Sequence, residues 1–269
     1  MRVNRDAAPA GTGSLDSDLL AALARFVARP SVLIALDFDG TLAPEVDGPE
    51  WARALPEAHQ ALLRLRAQPG VAVALISGRS LSSLAAVGEM PDDVPLVGSH
   101  GLELRFGVTD ARPAVDAADR ARMRALRSRL EPLVVAAAGA WIEDKPAGFA
   151  VHTRVLDPVV AGALVASVRR DASAIDPHLT VRDGKNVIEF SVRDATKGDG
   201  LRALRAHLAP DAVLFAGDDV TDEDALAALG PGDVGIKVGT AASVAEHRVA
   251  GPAEVAAVLQ FMVDLREQT

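Results

Sequence analysis

Two aspartates one residue apart, Asp37 and Asp39, stand in Asp37-Phe38-Asp39-Gly40-Thr41-Leu42, directly behind the apolar run Val32 to Leu36. In an extended chain, residues two apart point to the same side, so both carboxylates face one site. At the C-terminal end of a parallel strand they would lie where open α/β sheets bind ligands. Gly40 and Thr41 let the chain turn away; an acidic turn closing a strand is the alternative, because Asp and Gly are common turn residues. A second acidic group, Gly217-Asp218-Asp219-Val220-Thr221-Asp222-Glu223-Asp224, also follows an apolar run and opens a helix. Acids at a helix start serve as caps and dipole partners, which is the main reading for Glu223 and Asp224. If Asp218 converges with Asp37 and Asp39, their repulsion requires a counter-ion. An all-oxygen set with neither Cys nor a His pair favours a hard cation, and Mg²⁺ needs only a carboxylate or two plus phosphate and water.

Between the acidic groups lie Ser77-Gly78-Arg79, ending the run Val71 to Ile76, and Lys197-Gly198. A hydroxyl and an exposed glycine amide can hydrogen-bond phosphate oxygens, and Lys supplies a point charge. Each is weak alone, since Ser-Gly is commonplace in loops and an isolated Lys is usually solvated. The ordered set, each member at a strand end or a helix start, is the specific signal.

The elements that must position these residues alternate along the chain. Leu19, Leu20, Leu23, Phe26 and Val27 recur at helical spacing before Pro30, and Pro56 to Gln68 carries the same period. Val32–Leu36, Val71–Ile76, Leu96–Val97, Val213–Ala216 and Val234–Val238 read as strands buried on both faces, the texture of a parallel sheet. A C-terminal helix over Pro252 to Arg266 completes that pattern. The middle differs. Helical stretches Ala117–Ala138 and Pro158–Arg170 each precede a hairpin, one turning at Pro146-Ala147-Gly148 and one at Asp183-Gly184-Lys185. A hairpin-rich α+β module over residues 102–191 is therefore expected as an insertion into an α/β core of residues 16–101 and 192–269, with residues 1–15 a loose tail.

Composition bounds the partners. Apolar residues make up 49% of the 269, enough aliphatic material for a core, which excludes a disordered chain. Acids outnumber Lys and Arg by 37 to 28, a net charge of −9 that argues against nucleic acid as partner. It leaves an anionic small molecule open, because a local cluster can oppose the net field. The absence of cysteine excludes disulfides and thiolate metal sites and fits a reducing cytoplasm. No apolar run is long enough to span a bilayer, so no membrane partner is expected. With seven Phe, two Trp and no Tyr, a sugar site would rely on hydrogen bonds more than on stacking; Trp141 and Phe149 are expected in the core of the inserted module.

On Asp37–Leu42, Ser77, Lys197 and Asp218–Asp222 the chain resembles the haloacid dehalogenase (HAD) superfamily of phosphohydrolases. Within it, Gly98-Ser99-His100-Gly101-Leu102-Glu103, Glu143-Asp144-Lys145, Val151-His152-Thr153-Arg154 and Thr221 to Ala225 make it similar to the trehalose-6-phosphate phosphatases, over nearly everything from Leu33 to about Val238. The resemblance implies a Rossmann-like HAD core with a parallel sheet, the inserted module acting as a cap. It implies Asp37 as nucleophile, forming an aspartyl-phosphate. Asp39 would be the acid toward the departing sugar oxygen and then the base toward water. Mg²⁺ would be held by Asp37, the Asp39 carbonyl and Asp218, with Asp219 and Asp222 behind them. Ser77, Gly78, Arg79 and Lys197 would hold phosphoryl oxygens. Glu143, Lys145 and Glu189 would meet the sugar hydroxyls, with Lys185 and His100 as further candidates. The chain departs from the family after Glu189, where Phe190-Ser191-Val192 stands in place of an apolar-Arg-Pro continuation. The implied substrate is a sugar phosphate, and a cytoplasmic monomer is expected. Phosphatases of sucrose phosphate or mannosyl-3-phosphoglycerate, and a phosphomannomutase, share the architecture. A phosphate-receiving or inactive binding module is the non-enzyme alternative, but such receivers place their Lys after all of the acids, whereas Lys197 precedes Asp218.

Overall fold

Where a run of five aliphatic residues must bury every side chain, a central strand with helices on both faces is the available solution. In the computed structural model, which describes residues 15–46, 48–107, 111–112, 115–184 and 186–268, Val32–Leu36 is such a strand and is buried throughout. Along the first part of the chain come α1 (Ser17–Val27), β1 (Val32–Leu36), α2 (Pro56–Arg66), β2 (Val71–Ile76), α3 (Leu81–Gly88), β3 (Leu96–Gly98), β4 (Glu103–Arg105) and β5 (Ala111–Arg112). The middle holds α4 (Ala117–Ala136), β6 (Trp141–Lys145), β7 (Gly148–His152), α5 (Pro158–Ile175), β8 (Thr180–Gly184) and β9 (Val187–Ser191). The last part returns with α6 (Lys197–Leu208), β10 (Ala212–Gly217), α7 (Glu223–Leu226), β11 (Val234–Val238), β12 (His247–Val249) and α8 (Pro252–Glu267).

Contacts divide the chain into two units, Met1–Ala111 with Thr196–Thr269, and Arg112–Ala195. These limits fall further along than 102 and 191, for two local reasons. Glu103–Arg105 adds to the large sheet antiparallel to β3, and Arg193 pairs with Asp116 and Asp119 at the start of α4. The expected tail, Leu15 excepted, and Lys185 lie outside the described residues.

Among the described residues the first unit carries an eight-stranded sheet ordered β12-β11-β10-β1-β2-β3-β4-β5, with β12 to β3 parallel. Because successive side chains alternate across a strand, β1 feeds two cores. Val32, Ile34 and Leu36 join Leu23 and Phe26 of α1, Leu62 and Leu65 of α2, and Leu259 and Met262 of α8. Leu33 and Ala35 join Leu201 and Leu204 of α6 and Leu226 of α7. That alternation carries past the strand's end. Phe38 falls in the first cluster, so Asp37 exits toward the side where α6 packs. With β2 on one flank and β10 on the other, β1 also marks the point where strand order reverses, the place where open α/β sheets offer a crevice.

In the second unit β6-β7-β9-β8 form an antiparallel sheet. Phe149, Val151, Ile188 and Phe190 point from it into a core completed by Leu126, Leu130 and Val134 of α4 and Leu164 and Val168 of α5. Phe149 is buried as expected, but Trp141 is not in that core: it is 43% exposed on the opposite face, because β6 is an edge strand and its alternation turns Ile142 inward. No helix among the described residues is long and apolar enough to cross a membrane. Truncating the central ring of the smaller core, Phe190→Ala, should cost about 3–5 kcal/mol through lost burial and the cavity left behind. Denaturant unfolding followed on β7 and β9 amides measures this, and a loss below about 1 kcal/mol would mean the ring is not packed as described.

Candidate functional site

Asp37 leaves β1 with its amide bonded to the Ala216 carbonyl and its carboxylate almost wholly buried. The next residues form a tight loop: the Leu42 and Ala43 amides both return to the Phe38 carbonyl, and the Gly40 amide bonds to Ala43. Gly40 sits at φ +78°, and a Cβ there would collide with the Asp218 carboxylate. Only glycine both adopts that turn and leaves room for the acid arriving from β10. Thr41, fully buried, donates its hydroxyl to Asp218 Oδ1 at 3.2 Å.

Lys197 is the first residue of α6, whose start is fixed by a capping box between Thr196 and Asp199. Its ammonium, 3% exposed, donates to Asp37 Oδ1 and to Asp222 Oδ1, each at 2.7 Å. Asp222 accepts from the Asp219 amide on its other oxygen, at 2.9 Å. Asp37, Asp218 and Asp222 therefore converge, each with a carboxylate oxygen within 4.8 Å of the others. Two of these three carboxylates, Asp37 and Asp222, share the Lys197 ammonium, while Asp218 accepts from the Thr41 hydroxyl. Burial pushes the Asp37 carboxyl well above the usual carboxylate range, and Asp222 and Asp218 add to that push while Lys197 opposes it. Asp218 is likewise raised, first by burial and then by Asp222. The Lys197 ammonium is held charged by Asp37 and Asp222 despite its own burial. Surplus negative charge on hard oxygen donors suits a divalent cation such as Mg²⁺.

Asp39 has a different partner. Arg79 approaches it with Nε and Nη2, both at 2.6 Å, while Nη1 reaches Ser83 Oγ and the guanidinium lies over Phe38. The two motif aspartates thus sit at one strand end but in separate ion pairs, Lys197 on Asp37 and Arg79 on Asp39. Arg79, expected on phosphate, is here on Asp39. Ser77 is buried, and its hydroxyl accepts from the Arg79 amide at 3.1 Å, leaving its own proton to donate. The Gly78 position is covered by the His100 ring, which a Cβ there would approach within 2.6 Å. Ser99 and His100 both hold positive φ, at 49° and 56°. That loop is tied by Glu103, which accepts from Ser99 Oγ and from the Leu81 amide at the start of α3. His100 stands beside the Ser77-Gly78 turn because its amide donates to the Ser77 carbonyl at 3.0 Å. Asp219 is exposed, and its carboxylate caps the Val220 amide.

One residue escaped the sequence reading. Lys237 lies inside the apolar run of β11, opposite Gly217, and is 1% exposed. It donates to the carbonyls of Asp218 at 2.7 Å and Asp219 at 3.1 Å, and pairs with Glu223. A lysine interrupting a buried strand run was the available signal.

In the second unit, strand register aligns Glu143, Ala150, Glu189 and Arg182 in one row across the sheet. At about 4.8 Å per strand the two glutamate Cα atoms are about 10 Å apart, with only the methyl of Ala150 between them. Glu143 accepts from Lys145 at 2.6 Å and meets His152 Nε2 at 2.8 Å; burial pushes its carboxyl up, but these two contacts outweigh that and hold it low. Trp141 stacks on His152 with ring centroids 4.6 Å apart. Glu143, Lys145 and Glu189 are therefore neighbours on the face away from the core.

A fold that disfavours the ionised form of a carboxylic acid loses stability as pH rises through the window from its usual pKa to the raised one. At neutral pH, Asp218→Asn in chelator should therefore raise the thermal midpoint above that of the parent, and added Mg²⁺ should narrow or reverse the difference. Calorimetry in chelator and in Mg²⁺ reads both; a lowered midpoint in chelator would contradict the charge surplus.

The sequence profile of the trehalose-phosphatase family matches residues 35–256. A trehalose-phosphate phosphatase of Mycobacterium ulcerans is 37% identical over 259 residues, covering 89% of this chain and 64% of its own length. The chain thus spans just under two thirds of that relative. A trehalose-6-phosphate phosphatase of Escherichia coli is 32% identical over 235 residues, 86% of each protein. Among solved structures, a trehalose-6-phosphate phosphatase of Aspergillus fumigatus superposes with a TM-score of 0.70 at 26% identity, over 94% of this chain and 99% of that one.

Proposed function

The chain belongs to the trehalose-phosphatase family, and on that premise we propose that it hydrolyses trehalose 6-phosphate to trehalose and inorganic phosphate. The observation that carries the chemistry is the buried cluster in which Lys197 orients Asp37 beside Asp218. A carboxylate held at one oxygen by a buried ammonium is fixed in direction, as an in-line attack on phosphorus requires. An Asp37 oxygen attacks phosphorus as the bond from phosphorus to the sugar oxygen breaks, and Asp39 delivers a proton to that leaving oxygen. Asp39 then takes a proton from water as its oxygen attacks the same phosphorus, and the bond to Asp37 breaks to release phosphate.

Mg²⁺ is the proposed cofactor. Asp37, Asp218 and the Asp39 carbonyl would hold it; when bound it supplies positive charge against the phosphoryl oxygens and the surrounding acids. Asp222 has both oxygens engaged, by Lys197 and the Asp219 amide, which favours a supporting place for it. Lys197, the Ser77 hydroxyl and the Gly78 amide supply donors for the phosphoryl oxygens. Arg79 occupies both Asp39 oxygens, so proton delivery requires its fork to open at one of them. An arriving phosphoryl group is an acceptor the guanidinium fits equally well.

The second unit, Arg112–Ala195, acts in this reading as a cap that recognises the sugar. Glu143 and Glu189, about 10 Å apart with Lys145 beside them, present acceptors and a donor to the hydroxyls of a disaccharide. The half-exposed Trp141 offers a ring edge on the same face. A cytoplasmic setting belongs to the same proposal, since a cysteine-free sequence fits a reducing compartment.

Phosphate release across a panel of sugar phosphates tests the reading. Trehalose 6-phosphate should be turned over far faster than glucose 6-phosphate or sucrose 6-phosphate, and only with a divalent cation; equal rates across the panel would refute the substrate. Asp37→Asn should reduce turnover to background with the far-ultraviolet spectrum unchanged, and Asp39→Asn should slow it by about 10²–10⁴-fold. Substantial activity in Asp37→Asn would demand another nucleophile.

A further inference from the structure

We infer that Lys237 is a positioning residue for the cation site, setting where Asp218 stands by gripping the backbone that carries it. The proposal rests on the cation site described above. Asp218 comes just past the end of β10, so its peptide lies outside the strand and its carboxylate, held at Oδ1 by Thr41, is also set by how that peptide stands. Lys237 restrains that peptide. From the facing position on β11, opposite Gly217, its ammonium donates to two successive carbonyls, Asp218 at 2.7 Å and Asp219 at 3.1 Å. Glu223 Oε1 lies 3.2 Å from the same ammonium as an ion pair outside hydrogen-bond geometry, so the two directed bonds of Lys237 both go to backbone carbonyls.

Glu223 is itself fixed. Its other carboxylate oxygen accepts from Ser243 Oγ at 3.1 Å and from the Val244 amide at 2.9 Å. The restraint therefore runs from the loop after β11, through Glu223 and Lys237, to the peptides of Asp218 and Asp219. It meets the cluster from a side that Lys197 does not reach. Burying a lysine is costly unless it is paired, and filling the same space with Met or Leu would suit a strand whose neighbours are apolar. A second buried ammonium, aimed at backbone next to a carboxylate of the cluster, is the arrangement expected where geometry rather than bulk stability is required.

Binding of Mn²⁺ alone, read by the electron paramagnetic resonance of the free ion, tests this without any turnover. The parent protein should bind Mn²⁺, and Lys237→Met should weaken binding at least tenfold while its circular dichroism spectrum stays that of the parent. A structural role alone would lower the thermal midpoint and leave Mn²⁺ affinity within twofold, which overturns the inference. If Lys237→Met does not fold, Glu223→Gln loosens the same ammonium from behind; a severalfold loss of Mn²⁺ affinity supports the inference and unchanged affinity rejects it. Failure of the parent to bind Mn²⁺ would remove the cation site itself and the inference with it, whereas equal binding by parent and variant removes only the role of Lys237.

Discussion

A single buried ammonium among three carboxylates is the interaction on which the site is built. Lys197 touches Asp37 and Asp222, and Asp218 stands against the same group with its own carboxyl raised by burial and by Asp222. Without that positive charge, three acids this close could not remain ionised in a dry pocket. With it, charge is still in surplus, and the surplus is what a divalent cation and a phosphoryl group can exploit. The strained and crowded features nearby follow from the same demand. Gly40 must lack a side chain so that Asp218 can approach, and Thr41 must be buried to donate to it.

The surrounding sheet supplies the convergence. Asp37, Ser77 and Asp218 each follow a parallel strand, and Lys197 opens the helix that packs on the odd-numbered face of β1. Parallel strands in register end at the same edge, so residues far apart in the chain arrive together without long loops. The helix in question needs no special sequence beyond its capping box, because Leu201 and Leu204 bury against Leu33 and Phe215 and leave the first turn pointing at the strand ends.

The second unit works by a different rule. Its sheet has one face packed and one open, so alternation sorts Phe149, Val151, Ile188 and Phe190 from Glu143, Lys145 and Glu189. Polar residues on the open face are unconstrained by packing and can be chosen for recognition. Trp141 belongs to that face too. Expecting it in the core treated a large ring as a burial signal, when its position on an edge strand decided otherwise.

Local pattern was sufficient for much of this protein. Buried runs, helical periods and turn residues identify β1, β2, β10 and β11, the helices α1, α2, α4, α5 and α8 and both hairpins, and the order of Asp37, Ser77, Lys197 and Asp218 marks phosphoryl chemistry, because strand burial and turn formation are settled by neighbours in the chain. Three things were decided only in three dimensions. Asp39 pairs with Arg79 instead of Lys197, since an arginine that follows the neighbouring strand β2 reaches it across the sheet edge. Asp222 joins the cluster because a short turn folds it back under Lys197. Lys237 reaches the Asp218 backbone across a parallel strand pair, and the identity of a cross-strand partner is set by register between distant segments, a quantity that no stretch of sequence contains by itself.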